Sequence, residues 1–138
     1  MAKIEKIWFD SNRIWITTLD GLTLSRPLEA FPTLMDATDE QRLSFTIGPD
    51  ATDVRWEEID EDIHISSFYN TEEPDYDNEI AIIFRKFPQL NVSEVARNMG
   101  IHKSLLSKYI YGIKHPSEQR KEQIKQSLRS LGKDLMEI

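Results

Sequence analysis

The stretch from Asn91 to Leu131, NVSEVARNMGIHKSLLSKYIYGIKHPSEQRKEQIKQSLRSL, constrains this chain more than any other part of it. Val95, Met99, Ile101, Leu106 and Tyr109 are apolar at the spacing of two short helices that meet at a corner and share one core. Ala96 falls where the two axes would meet, and a larger side chain there would hold them apart. Gly100 falls at the corner, where a positive φ strains an L-residue but costs glycine almost nothing. Asn91 is placed to cap the first helix with Glu94 completing a capping box, and Gly112 is placed to end the second helix. Pro116 and Ser117 mark the next start, with Ser117 as the cap and Glu118 at the positive helix end. That third helix reads to about Leu131, carries Ile124, Leu128 and Leu131 on one stripe, and is expected to end at Gly132. Upstream, Tyr76, Ile80, Ile83, Phe84 and Phe87 share the face of a helix from about Tyr76 to Phe87, which Pro88 stops.

The framework A-x-x-x-G-I-x-x-S-x-L-S-x-Y-I-x-G-x-x-x-P-S, spelled by Ala96 to Ser117, resembles the Cro/CI-type, lambda-repressor-like helix-turn-helix domains. The resemblance implies a reader of double-stranded DNA. By matching positions, the second helix, roughly Lys103 to Tyr111, would enter the major groove. It would present His102, Lys103, Ser104, Ser107 and Lys108 to base edges or nearby phosphates, with Tyr109 buried. Ser93, Lys114 and His115 would hold the phosphate backbone. His102 has a second reading as a helix cap, and His115 as a turn filler. The chain departs from the family in its short hydroxyls, Ser93, Ser104 and Ser107, where bidentate arms are common, so base readout is expected to be modest. It also has only Lys133 to Ile138 left where the family commonly has a fifth helix used in dimer contacts. A single small module binds weakly, which predicts a homodimer on an inverted repeat with half-sites roughly 10 bp apart.

Charge tests this without reference to the motif. Residues 1–75 hold 6 Lys+Arg against 17 Asp+Glu, whereas residues 76–138 hold 11 against 7. Between Arg85 and Lys133 the balance is 11 basic to 3 acidic, so a net charge of -7 for the whole chain is no objection to nucleic-acid binding. Lys121, Lys125 and Arg129, spaced four apart, read instead as a solvated helix face.

The composition changes near NTEEPD, which predicts an acidic domain over residues 1–70, a linker over 71–75 and the helical domain over 76–138. Each is small enough that burial alone is marginal. The first domain reads as α+β, an antiparallel meander with short helices. Ile4–Phe9, Arg13–Leu19 and Leu22–Arg26 are strand-like runs separated by Ser11-Asn12 and by Asp20-Gly21. Leu28, Phe31, Leu34 and Met35 suggest helical turns, Asp39–Arg42 another, and Leu43–Ile47, Val54–Trp56 and Ile63–Ile65 short strands. Trp8, Trp15 and Trp56 are read as core residues; the competing reading, a base-stacking platform, suits an acidic half poorly.

The run WEEIDEDIHI, residues 56–65, is acidic enough to invite a metal, yet it lacks the glycine and the ligand alternation of a calcium loop. Glu57, Glu58, Asp60, Glu61 and Asp62 are therefore read as a solvated patch or as the face that meets a basic protein partner. With the hairpins before it, the pattern W-x-x-x-D-x-D, here Trp56, Asp60 and Asp62, resembles a bacterial domain of unknown function. Short proteins of that kind are suspected antitoxins or small regulators.

Three classes of function are thus weighed. One is a transcriptional regulator, expected to repress. Another is an antitoxin-like adaptor that grips a basic partner and autoregulates its operon. The third, catalysis, finds no acid–base pair at a recognisable spacing, no phosphate loop and no Ser-His-Asp signature. His64, His102 and His115 sit in unrelated contexts, so no catalytic residue, metal or cofactor is expected. The chain has no cysteine, hence no disulfide framework. The lack of a leader or apolar span predicts a cytoplasmic protein with no membrane partner.

Overall fold

The computed structural model describes residues 2–138, which divide into two compact units on either side of the Glu73–Pro74 bond. Met1, included in the predicted first domain, lies outside the described residues.

The first unit is α+β. Strands β1 (Ile4–Asp10), β2 (Arg13–Thr18) and β3 (Thr23–Pro27) form an antiparallel meander in which Trp8 faces Trp15 and Ile16 faces Leu24. The β1–β2 turn holds Ser11 and Asn12 at positive φ, and the β2–β3 turn holds Gly21 there. Alternation sends Ile14, Ile16 and Thr18 inward. Pro27 ends β3, but the apolar run after it forms two pieces, a 3-10 turn at Leu28–Ala30 and helix α1 (Pro32–Met35). Helix α2 (Asp39–Leu43) starts at a Thr38–Gln41 capping box. A second antiparallel sheet follows, of β4 (Thr46–Ile47), β5 (Asp53–Trp56) and β6 (Glu61–His64). Leu43, expected in a strand, belongs to α2, and Ile65 opens a 3-10 turn over Ile65–Tyr69.

The core of this unit is built on Ile4, Ile14, Ile16, Leu28, Leu34, Val54, Trp56, Ile63, Ile65 and Phe68. Trp56 is fully buried and donates its indole N–H to the Arg42 carbonyl, 2.9 Å. Arg42 in turn donates to the carbonyls of Leu34 and Met35 at the end of α1. Trp8 and Trp15 depart from the expected core placement. They lie on the other face of β1 and β2, half-buried and stacked at 6.2 Å with planes 10° apart, because the same alternation that buries Ile14 and Ile16 turns Trp15 outward.

The second unit is all-helical: α3 (Glu79–Lys86), α4 (Val92–Met99), α5 (Lys103–Tyr111) and α6 (Glu118–Met136). Ile80, Phe84, Val95, Ala96, Leu106, Tyr109 and Ile124 make its core. Helix α3 begins later than the apolar spacing predicts. Asn78 accepts from the Ala81 N–H and fixes the start there, while Tyr76 packs edge-on against Tyr111. Phe87 is half exposed rather than on the buried face, with the Lys86 ammonium 5.6 Å from its ring centre. Helix α6 runs through Gly132 to Met136 instead of ending there. One glycine costs a helix about 1 kcal/mol, too little to stop a run that continues with Lys133, Leu135 and Met136.

Among the described residues, no helix is long and apolar enough to cross a membrane.

Candidate functional site

The corner between α4 and α5 is set by backbone chemistry that the sequence spells out. Asn91 accepts from the Glu94 N–H, 3.2 Å, and caps α4. The Glu94 carboxylate turns to Arg97, 3.2 Å away, rather than back toward the cap as a capping box would have it. Gly100 ends α4 at φ 73°, and the Ile101 N–H reaches the Ala96 carbonyl, 3.0 Å. His102 caps α5: its Nδ1 accepts from the Ser104 N–H, 3.1 Å, and lies 2.7 Å from the Ser104 hydroxyl oxygen. Gly112 closes α5 at φ 75°.

Most of the residues that the motif assigns to a binding face are accessible. His102, Lys103, Lys114 and His115 are exposed, while Ser93, Ser104 and Lys108 are half-buried. Ser107 is not accessible. It is 6% exposed, enclosed one turn beyond Lys103 where α5 enters the packed interior, so it does not offer a hydroxyl to an external ligand. The start of α5 thus brings His102, Lys103 and Ser104 together, with Lys108 a turn further on. Lys114 and His115 lie apart from them, beside a depression also lined by Asn78, Glu79, Tyr109 and Lys121.

The basic residues of α6 serve its own unit in part. Lys125 is ion-paired with Glu79 of α3 and Lys121 with Glu118. The Lys125–Glu79 hydrogen bond holds the carboxyl below its ordinary range and raises the ammonium above its own.

Two anchors that the sequence reading missed hold the ends of the acidic stretch. In the first unit, Arg26 is buried and donates to the Asn70 and Glu72 carbonyls, and burial lowers its pKa. Arg13 grips Glu73 through both terminal nitrogens, 2.6 and 3.1 Å, which holds that carboxyl below its ordinary range. In the second unit, the Asp75 N–H donates to the Tyr111 carbonyl, 2.8 Å, and Asn78 Nδ2 to the carbonyls of Asp75, 2.6 Å, and Ile110, 3.2 Å. The sequence signal for Asn78 was present, an Asn just ahead of an apolar helical run. Nothing in the sequence pairs Arg13 with Glu73, 60 residues apart.

The acidic run forms the β5–β6 turn, with Asp60 at φ 52°. Arg55 fans into it, 2.6 Å from Asp62, 2.8 Å from Asp60 and 3.0 Å from Glu57, and these bonds raise its pKa. Glu58 accepts from Gln41, 3.2 Å. The W-x-x-x-D-x-D pattern therefore has a structural use: the tryptophan anchors the hairpin in the core and the two aspartates lock Arg55 across its turn. The carboxylates of Glu57 and Asp60 remain largely exposed on their outer sides.

Residues 4–74 match the family model described as "Protein of unknown function (DUF2442)". No curated protein and no solved structure matches the chain.

Proposed function

The chain belongs to the DUF2442 family through its first unit, and since that family is described only by its unknown function, we propose from the second unit that the protein is a DNA-binding regulator. The observation that carries this reading is the start of α5. A glycine corner and a histidine cap hold it rigidly, and it presents Lys103 outward with His102 and Ser104. Helix N-termini favour phosphate, and short polar arms beside a lysine suit groove and backbone contacts. The excess of 11 basic over 3 acidic residues between Arg85 and Lys133 supplies attraction on the same unit. The corner also fits a helix-turn-helix in its Ala96, Gly100 and Leu106 framework. The protein acts in this reading as a homodimeric repressor on an inverted repeat, with Ser93, Lys114 and His115 on phosphates and Ser107 as packing.

Fluorescence anisotropy with the protein's own promoter region, at two salt concentrations, tests this. Tight binding that weakens with salt is expected. Lys103→Ala and Lys108→Ala should each reduce the salt slope by about 1, and Ser107→Ala should leave affinity nearly unchanged. Absence of salt-sensitive binding refutes the reading.

A second reading, an adaptor for a basic protein, rests on the exposed carboxylates Glu57, Glu58, Asp60 and Asp62, with Glu61 half-buried beside them. Arg55 satisfies three of them internally, leaving a negative but stiffened turn. Purification from the native host that recovers no basic partner counts against it.

A further inference from the structure

The four helices of the second unit do not start alike. Asn78 caps α3, Asn91 caps α4 and Ser117 caps α6, each side chain accepting the backbone N–H three residues on. Each of those helices also has a glutamate in its first turn, Glu79, Glu94 or Glu118. Amide and hydroxyl caps keep their acceptor at any physiological pH. Helix α5 has neither feature. Its first turn holds no acidic residue and opens on Lys103, a charge of the wrong sign for the positive end of a helix. The side-chain cap is His102, whose Nδ1 accepts from the Ser104 N–H, 3.1 Å, and stands 2.7 Å from Ser104 Oγ.

An imidazole nitrogen accepts a hydrogen bond only while it is bare. With Nδ1 as acceptor the ring is neutral and carries its proton on Nε2. Protonation of Nδ1 reverses the arrangement. The new N–H can donate to Ser104 Oγ, but the Ser104 N–H loses its acceptor and a positive charge stands at the positive end of α5. Both changes act against the first turn, so the cap and the charge exclude each other. His102 is exposed, so protons reach it directly. The charged side chains on the elements packed against α5 have engagements of their own: in α3, Glu79 with Lys125, Arg85 with the Tyr76 carbonyl and Lys86 with the Phe87 ring, and in α4, Glu94 with Arg97. On α6, Arg120 and Glu122 line the groove beside Ile101, and α5 itself adds Lys103 and Lys108. The same chemistry recurs in the first unit, at the 3-10 turn over Ile65–Tyr69. There His64 Nδ1 accepts from the Ser66 N–H, 3.1 Å, and lies 2.9 Å from Ser66 Oγ. Asp53 stands opposite His64 in β5, and Asp62, two residues back, is held by Arg55.

We infer that the His102 cap is a proton-sensitive latch on α5: the neutral imidazole holds the first turn, with Lys103 and Ser104 on it, and protonation releases that turn while α3, α4 and α6 keep their caps. The release is local, because Leu106, Ser107 and Tyr109 are buried and hold the rest of α5 in the unit. The sign follows from the acceptor. The turn is ordered at neutral pH and loosens as pH falls through the range where histidine gains charge, between about pH 8 and 5. The latch belongs to the free chain and does not depend on DNA binding. In the DNA reading it acts on the residues that face the groove, so the fold ties the order of that face to proton concentration.

Nuclear magnetic resonance of the full chain without DNA, titrated from about pH 7.5 to about pH 5, tests the latch. At the neutral end the His102 ring should carry its proton on Nε2 and none on Nδ1. On titration the Ser104 amide resonance should move with the same midpoint as the His102 ring, and its exchange protection, corrected for the intrinsic rate, should fall at least about fivefold. The amides held by the fixed caps, Ala81, Glu94 and Arg120, should keep their protection. His102→Asn supplies a cap that does not titrate, so the variant should fold as wild type and lose the Ser104 response, while Ser66 still follows His64. A proton on Nδ1 at neutral pH, a Ser104 amide that ignores the His102 titration, an equal loss of protection at all four cap amides, or a response that survives His102→Asn overturns the proposal. None of these outcomes involves DNA, so the latch and the DNA reading stand or fall separately.

Discussion

Replacing Gly112 by alanine, set against the same change at Gly100, separates backbone strain from steric wedging at the two ends of the α4–α5 pair. Both glycines are left-handed, at φ 75° and 73°. An L-residue in that region costs about 1–2 kcal/mol, and removing a glycine from the unfolded chain returns about 0.4–1 kcal/mol, so strain alone predicts a loss of about 1 kcal/mol at either site. Their surroundings differ. A Cβ at Gly100 would meet nothing within 4 Å, whereas one at Gly112 would overlap the Asp75 carbonyl oxygen and stand 2.9 Å from the Asp75 nitrogen. Those are backbone atoms, so relief requires moving the chain at Asp75. The move would break the Asp75–Tyr111 hydrogen bond, worth about 1 kcal/mol, and the Tyr76–Tyr111 edge contact, worth about 0.5–1.5 kcal/mol. Gly112→Ala is therefore expected to cost about 3 kcal/mol and Gly100→Ala about 1 kcal/mol. All three tryptophans lie in the first unit, so urea unfolding followed by ellipticity at the helical minimum reports chiefly on the helical unit and tryptophan emission on the other. Equal losses at the two glycines, within about 0.5 kcal/mol, would show that Asp75 is not wedged against Gly112 and refute the argument.

Two other predictions concern the first unit. Arg13 holds the Glu73 carboxyl below its ordinary value of 4.5, so the pair's contribution is present above that value and is lost as pH falls through the lowered native one. Arg13→Gln should therefore lower the emission-detected urea midpoint at neutral pH, by no more than about 1 kcal/mol for so exposed a pair. The difference from wild type should close in acid, and a gap unchanged in acid would assign the loss to Arg13 packing instead. Trp56→Phe should cost about 2–4 kcal/mol, since it opens a cavity and leaves the half-buried Arg42 carbonyl without its indole donor, while Trp8→Phe, in the outward stack, should cost about 1 kcal/mol or less; chemical denaturation that ranks them the other way would mean the sheet faces are misassigned.

Local pattern made much of this molecule legible. The three-strand meander was readable because its apolar runs alternate and its turns carry residues that tolerate positive φ, Ser11-Asn12 and Gly21. The ends of α4, the start of α5 and the start of α6 were readable because Asn91, Gly100, His102 and Ser117 satisfy backbone groups within a few residues of themselves. The accessible candidate site, His102, Lys103 and Ser104, followed from that local register. Ser107 did not, because its spacing from Lys103 places it on the same helical face and only the packing one turn deeper encloses it.

What the sequence alone determined, then, is what short-range chemistry decides: the elements, their caps and corners, and the separation of an acidic α+β half from a basic helical half. Tertiary structure decided which faces those elements bury. It turned Trp8 and Trp15 outward while taking Trp56 into the core, and folded the acidic run around Arg55. It tied Glu73 to Arg13 across 60 residues. It also carried α6 past Gly132 to Met136, leaving Leu135 and Met136 exposed. These outcomes depend on partners distant in sequence, and a propensity of about 1 kcal/mol per residue cannot foresee contacts that are comparable in strength but made only once the chain has folded.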